Sequence, residues 1–457
     1  MLKKKTSISI MKQLFRKILF AISFFTAVPS PAQQTSSVLL KNVTLIDGTG
    51  AAARQNIDML IQDGKIATIQ TGIKDAKARQ IDLKGKTIIP SLISAHTHIG
   101  TLKGNTSTAE NYTQENVLRQ LKRYQDYGVN TILTMGTDRP LVFNGFIDST
   151  QAGLLPGARL YSAGYGFNTP ETSPASWMNL LLRPASADQV PGLMSDLAKV
   201  KPTVVKIWVD DHGGKAEKIK PEIYKSIITE AHKKGIPVAS HLYNLEDARS
   251  LTESGLDIMA HSIRDKEIDA DLLKKMKEKG VAYIPTLSLD EFAYIYSRKP
   301  EWVEEPFFKA SLEPGVYEMI ISQKYQDQVK NSPDFERNMK GFKIALANVK
   351  KIHDAGILVA LGTDSGAFPI RAQGFSEHLE LELLVQAGLT PMQAITAGTK
   401  NAATVLKIND QYGTLEKGKV ADFIVLSASP EKEIKNTRKI ESVWKDGKEV
   451  SKGPLSK

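Results

Sequence analysis

The 457-residue sequence contains no cysteine. That absence excludes a disulfide-stapled scaffold, a thiolate metal site and a lipid anchor on an N-terminal Cys. Any metal must therefore sit on His and carboxylate-like ligands. No GxGxxG turn or P-loop follows the first strand pattern, so dinucleotide or nucleoside triphosphate binding has no sequence support. The N-terminal apolar run, Ile18 to Val28, is 11 residues long, short of the ~20 needed to span a bilayer.

A strong excess of positive charge is also missing, despite a formal net charge of +10. Residues 1–32 hold Lys3, Lys4, Lys5, Lys12, Arg16 and Lys17 and no acid, leaving 54 basic against 50 acidic residues, a net +4. A near-balanced surface gives no support for nucleic-acid binding. The basic stretch, the apolar run and Ser30-Pro31-Ala32 before Gln33 read as a cleaved secretory signal over residues 1–32, the alternative being a membrane anchor. Met11 onward keeps every element of that signal. The expectation is a periplasmic or secreted protein without a stable membrane anchor.

Between Val38 and Ile89, short apolar stretches are cut by turn signals, with Asp63-Gly64 as a hairpin pair. The same texture returns near the end, again with a hairpin at Asp446-Gly447. One small β domain built from both termini is expected, a β-sandwich over 33–90 and 408–457. The middle repeats a different unit: an amphipathic helix ends at Gly, and an apolar strand follows at once. It occurs at Gly128, Gly235, Gly255, Gly280 and Gly356. Glycine after a helix takes the left-handed conformation without a Cβ penalty. Helices alternating with continuously apolar strands mean parallel β with crossovers. The predicted class is α/β, a (β/α)8 TIM barrel over 91–407. An insertion at about 288–340, rich in aromatics, Pro and charge, interrupts the spacing. Inserts in the loops after barrel strands often shape an active site, the alternative being a surface excursion.

The chain has only eight His, and four of them fall near strand ends. His96 and His98 lie two apart on the first barrel strand, so period two points both side chains to one face. His241 and His261 end the strands after Gly235 and Gly255, and Asp364 ends the one after Gly356. Lys206 lies within the apolar strand VVKIWVD. Barrel enzymes keep catalytic groups at this end of the strands. A buried Lys is costly unless its charge is removed or used. Reaction of its neutral amine with CO2 gives an anionic two-oxygen ligand able to bridge two cations; the alternative is an ion pair with Asp210. His232 and His353 precede C-cap glycines, where a cation suits the helix dipole. His378, in a Glu-rich helix, reads as a surface or interhelix residue. His212 follows the Lys206 strand and is a candidate substrate contact.

These residues reach a resemblance. IIPSLISAHTHIG is similar to the first-strand signature of the amidohydrolase superfamily, in its imidazolonepropionase-like and prolidase-like (Xaa-Pro or related dipeptidase) branch. VVKIWV, VASHLYN, IMAHSI and GTDSG follow in that family's order, and AGLTPMQAITAGTKNAATVLKI with GTLEKGKVADFIVL resembles its C-terminal signature. The resemblance implies that His96, His98 and Asp364 bind one metal, that His241 and His261 hold a second, and that carboxylated Lys206 bridges them. Ser94 departs from the pattern, since the family usually carries Asp there, and Ser91 stands where Gly is usual.

The implied enzyme is a metal-dependent hydrolase of an amide bond in a small molecule, a dipeptide or an N-acyl amino acid. Two divalent metal ions, with Zn suited to His and carboxylate ligands, would generate hydroxide from water near neutral pH. Asp364 takes the water's proton and delivers it to the leaving nitrogen. Tyr243, on the face of His241, is placed to hydrogen-bond the developing oxyanion or to contact substrate, against simple packing. Arg264 and Arg371 are candidates for a substrate carboxylate. Lactone or cyclic-amide hydrolysis on the same site, and a non-catalytic metal- or ligand-binding barrel, remain as alternatives. The resemblance suggests a homo-oligomer, and the sequence itself leaves that open.

Overall fold

Two kinds of strand segregate along the chain, as their sequence patterns require. The computed structural model describes residues 37–170 and 176–456, so the secretory signal expected over 1–32 lies outside the described residues. Near the N-terminal end run β1 (Ser37–Leu45), β2 (Arg54–Gln62), β3 (Lys65–Gln70), β4 (Arg79–Asp82) and β5 (Thr87–Pro90). Next come β6 (Leu92–Thr97), the short hairpin β7 (Leu102–Lys103) and β8 (Thr106–Ser107), β9 (Val129–Thr134) and β10 (Arg159–Ser162). They are followed by β11 (Val205–Val209), β12 (Val238–Leu242), β13 (Ile258–Ala260) and β14 (Ala282–Ile284). The chain closes with β15 (Phe423–Leu426), β16 (Ile440–Lys445) and β17 (Lys448–Ser451).

Strands from both ends share one eight-stranded sheet in the order β17-β16-β15-β5-β1-β2-β3, with β4 beside β1. Asp63-Gly64 and Asp446-Gly447 turn its hairpins with positive φ at both residues of each pair, the geometry that matches strand twist. Leu40, Val43, Ile57, Met59, Phe423 and Trp444 bury one face of it.

The middle is α/β. β10-β9-β6 and β11-β12-β13-β14 form two parallel arcs, and each strand after β6 is preceded by a helix. All five punctuating glycines take left-handed φ, between 67° and 93°. At Gly128 a Cβ would also lie 2.4 Å from Ile424 Cδ1, so packing against β15 excludes any side chain there. Isolated parallel bridges Phe167–Ile207, Tyr283–Val359 and Thr97–Ser365 cross between the arcs. The segment around Asp364, expected as a strand, makes only the bridges at Val359 and Ser365 and no regular ladder. Its backbone instead turns so that the N–H groups of Thr363 and Asp364 both donate to His96 O.

The insertion folds mainly as short helices, from Leu287–Phe292 to Gln323–Lys330, ahead of the long helix Phe335–Asp354. Among the described residues no helix is long and apolar enough to cross a membrane.

Candidate metal centre

Strand β11 shows how sequence builds the site. Val205, Ile207 and Val209 join the apolar cluster that includes Ile223, Ile227 and Ile228 of the helix Pro221–Lys233. Period two then sends Lys206, Trp208 and the following Asp210 to the opposite face. On β12, Val238 and Leu242 belong to the same cluster, which leaves Ala239 and His241 facing the other way.

His96 and His98 converge on Asp364. Nε2 of His98 lies 2.8 Å from Asp364 Oδ1, and Nε2 of His96 lies 3.1 Å from it. These three residues place one ligand atom each within 4.8 Å of one another and form a candidate metal site. His261 follows, its ring 4.6 Å from that of His96, and His241 comes next at 4.4 Å from His261. Nδ1 of His96 and Nζ of Lys206 are buried without a hydrogen-bond partner, and Nε2 of His96 has only the Asp364 contact. Such groups are costly to bury unpaired, and the donor set fits divalent cations.

The far nitrogens are held. Thr137 Oγ1 lies 2.7 Å from His98 Nδ1, Thr286 Oγ1 2.8 Å from His261 Nδ1, and Asp210 Oδ2 2.8 Å from His241 Nε2. That leaves Nε2 of His98 and His261, and Nδ1 of His241, free of these contacts, which is how an imidazole is oriented toward a cation. Asp210 therefore partners His241; the alternative reading, in which it pairs with Lys206, does not hold. Sequence reasoning missed Asp210 in this role, although its place just beyond β11 was the available signal.

Burial sets the protonation states. It lowers His96 to about 3, helped by Lys206, and His241 to about 4 despite the Asp210 hydrogen bond. His261 is held well below the usual imidazole range by burial and the neighbouring His241. His96, His241 and His261 are thus neutral at pH 7, the form that binds metal. Burial brings Lys206 down to about 7. At Asp364 burial opposes ionisation, but Arg371 and His98 outweigh it and hold the carboxyl well below the ordinary range.

Four of the ten non-glycine residues with positive φ among the described residues are here: His212, His261, Thr286 and Asp364. Strained backbone collects at functional sites. The cavity above the imidazoles has a volume of about 390 Å³, within the range of small-molecule sites. Tyr243, His212, Arg264 and Arg371 all line it. Tyr243 is sandwiched between guanidinium groups, Arg337 at 4.2 Å and Arg264 at 4.6 Å from its ring. Arg264 is otherwise engaged, donating to Asp290 Oδ1 at 2.8 Å and to Leu242 O at 2.9 Å, and Arg371 pairs with Asp364. Arg337 comes from the insertion, as do the lining residues Leu289, Asp334 and Asn338, so that segment forms part of the cavity wall. No local sequence signal marks Arg337.

His378 lies between helices, the second of its two sequence readings, and not at the surface. It is 1% exposed, between Tyr127 O at 2.8 Å and Thr437 Oγ1 at 3.0 Å. The helix Phe375–Gln386 is buried on nearly all sides, its acids included, so its charge pattern mimics a solvated face.

Against known proteins, residues 87–450 match the amidohydrolase family. Ochratoxinase from Aspergillus niger is 30% identical over 253 residues, covering 54% of this chain and 44% of the relative. The chain thus aligns with less than half the length of that relative. Imidazolonepropionase from Symbiobacterium thermophilum is 24% identical over 409 residues, 85% of this chain and 86% of the relative. Among solved structures, a putative prolidase from Bifidobacterium longum superposes with a TM-score of 0.74 at 24% identity, covering 92% of this chain and 96% of its own. With the match running from β5 to β17 and taking in His96, His98, Lys206, His241, His261 and Asp364, the chain belongs to the amidohydrolase family.

Proposed function

We propose that the protein is an exported enzyme that cleaves the amide bond of a dipeptide or an N-acyl amino acid at a pair of divalent cations, with Zn the suited metal. His96, His98 and Asp364 would hold one cation, and His241 and His261 the other. Lys206 would bridge them as a carbamate: its Nζ forms an N–C bond with CO2, and one proton leaves to solvent. The observation that carries the reading is Lys206 Nζ, fully buried without a hydrogen-bond partner beside a row of imidazoles. Carbamate formation removes a buried cation that has no hydrogen-bond partner and supplies two oxygen ligands.

When bound, the cations supply polarisation of the scissile carbonyl and a water acidified toward neutral pH. Asp364 accepts that water's proton and hands it to the departing nitrogen as the C–N bond breaks. Arg371, paired to the second oxygen of Asp364, keeps that carboxyl ionised and oriented. Tyr243 donates toward the oxyanion or the substrate. Arg264 and Arg337 beside Tyr243, and Arg371 beside Asp364, are the cations on the cavity wall that a free carboxylate would meet, with His212 as a further polar contact. In the same reading the two parallel arcs close as a (β/α)8 barrel over 91–407, and the bridges between them support closure. The shared sheet supports a β-sandwich domain over 33–90 and 408–457.

The test is metal content per chain together with turnover of a dipeptide and N-acyl amino acid library, for wild type and Lys206→Ala. Near two metals per chain, with hydrolysis lost in the variant, is the expected outcome. One metal or none in a fully active enzyme overturns the two-cation assignment. Two metals with no turnover of any amide overturns the amide substrate.

A further inference from the structure

The imidazoles form an ordered row, and its two ends differ in chemistry. Ring centroids step from His98 to His96 at 5.8 Å, to His261 at 4.6 Å and to His241 at 4.4 Å. Beyond His241 the wall is polar, with Asp210, the His212 ring at 6.2 Å, and the Arg264 and Arg337 guanidinium groups over the Tyr243 ring. Beyond His98 it is apolar and aromatic. The Trp177 ring lies 6.2 Å from that of His98 and meets Phe368 edge-on at 6.0 Å. Trp177, Met178 and Trp208 belong to one buried apolar cluster, and all three line the cavity.

Phe368 is left partly open where it lines the cavity. It is 39% exposed at the cavity, one of four large hydrophobic side chains so exposed among the described residues. Its ring is touched by Trp177 on one side and by the Arg371 guanidinium at 4.9 Å on another. A half-exposed aromatic beside two indoles is the composition of a site for a flat apolar group, because rings gain from edge-to-face and offset contacts beyond simple burial. A peptide N-terminus would need an anionic or carbonyl-rich partner here. Trp177, Met178, Trp208 and Phe368 offer it no carboxylate.

We propose that the acyl half of the substrate is a large planar apolar group, of the aryl or fused-ring class, seated against Trp177, Met178, Trp208 and Phe368. The free carboxylate of the amine half then faces Tyr243 and Arg337. This assignment rests on the amide-hydrolase reading for its orientation, while the aromatic seat itself does not depend on catalysis.

The experiment compares N-(2-naphthoyl)-alanine with N-acetyl-alanine as substrates of the metal-loaded protein, and adds calorimetric binding of neutral 2-naphthamide. Wild type should favour the naphthoyl substrate by about tenfold or more in kcat/KM, the scale at which apolar pockets discriminate. Phe368→Ala, a half-exposed position, and Trp177→Leu should each lower that naphthoyl-to-acetyl ratio several-fold and weaken 2-naphthamide binding. A ratio near one, or a ratio unmoved by both variants, overturns the proposal while leaving the hydrolase reading intact. If neither substrate is cleaved, the hydrolase reading fails and 2-naphthamide decides: binding weakened by both variants upholds the seat, and no binding overturns it.

Discussion

Ser94 Oγ donates a 3.1 Å hydrogen bond to Oε1 of Glu377, a carboxylate from a helix 283 residues later in the chain. The same oxygen accepts from Thr363 Oγ1 at 2.7 Å and Ser365 Oγ at 2.9 Å, the two residues flanking Asp364. The family's usual Asp at position 94 is thus replaced by a hydroxyl plus a carboxylate brought from outside. Glu377 is fully buried, and burial raises its pKa while the three hydroxyls counter the rise. Ser94→Asp would put two carboxylates on one dry site, where only one can ionise. We expect the variant to lose about 2–3 kcal/mol of stability in urea unfolding. Adding Glu377→Gln should restore at least about 1 kcal/mol, the signature of direct coupling. Additive losses would show that the two positions do not interact.

That carboxylate also marks where the sequence stopped being readable. Glycine punctuation, the hairpins at Asp63-Gly64 and Asp446-Gly447, and the strand-end His, Asp and Lys are local signals, because each follows from the backbone period of its own segment. Glu377, Arg337 and Trp177 carry no such signal. They reach the site from a helix, an insertion and a loop whose placement depends on long-range packing. The same reason left His378 open between surface and interhelix: Glu377, Glu380 and His378 look like a solvated face, yet each has a buried partner. Glu380, for example, accepts the backbone N–H groups of Leu287 and Ser288, both at 2.7 Å.

Asp210 should tune the second pair of imidazoles rather than bind metal. It accepts from His241 Nε2 at 2.8 Å and from the backbone N–H of His212 at 2.9 Å. Asp210→Ala removes the group that fixes the ring and its tautomer. Metal affinity, read by competition with a chromophoric chelator, should fall about 10–100-fold. An unchanged affinity would mean that His241 is not a ligand or needs no orientation.

His378 gives the fold a pH dependence that can be assigned to one ring. Burial lowers its pKa from 6.5 to about 3. The unfolded chain therefore takes up the proton first, and the unfolded state binds more protons across that interval. The contribution of the neutral ring is present above pH 6.5 and is lost as pH falls toward about 3. His378→Gln keeps hydrogen-bonding capacity without titrating. Between pH 7 and pH 5, unfolding free energy of the variant should fall less steeply than that of wild type. Parallel slopes would assign the acid sensitivity elsewhere.

Arg159 ties β10 to the C-terminal strands, and its removal should be felt as a stranded charge. Its guanidinium is wholly buried, pairs with Asp422 and Asp446, and lies 4.6 Å over the Tyr412 ring. Asp422 is itself 6% exposed and flanks β15, while Asp446 sits in the hairpin between β16 and β17. Replacing Arg159 by Met fills much of the volume but leaves Asp422 buried without its cation. That should destabilise the protein by about 3–5 kcal/mol, more than an exposed ion pair would contribute. Adding Asp422→Asn removes the unpaired charge and should recover part of the loss, because the cost lies in the orphaned carboxylate rather than in the missing attraction. If the double variant is no more stable than Arg159→Met alone, the loss comes from packing around Tyr412, and the ion pair is not what joins the two strands.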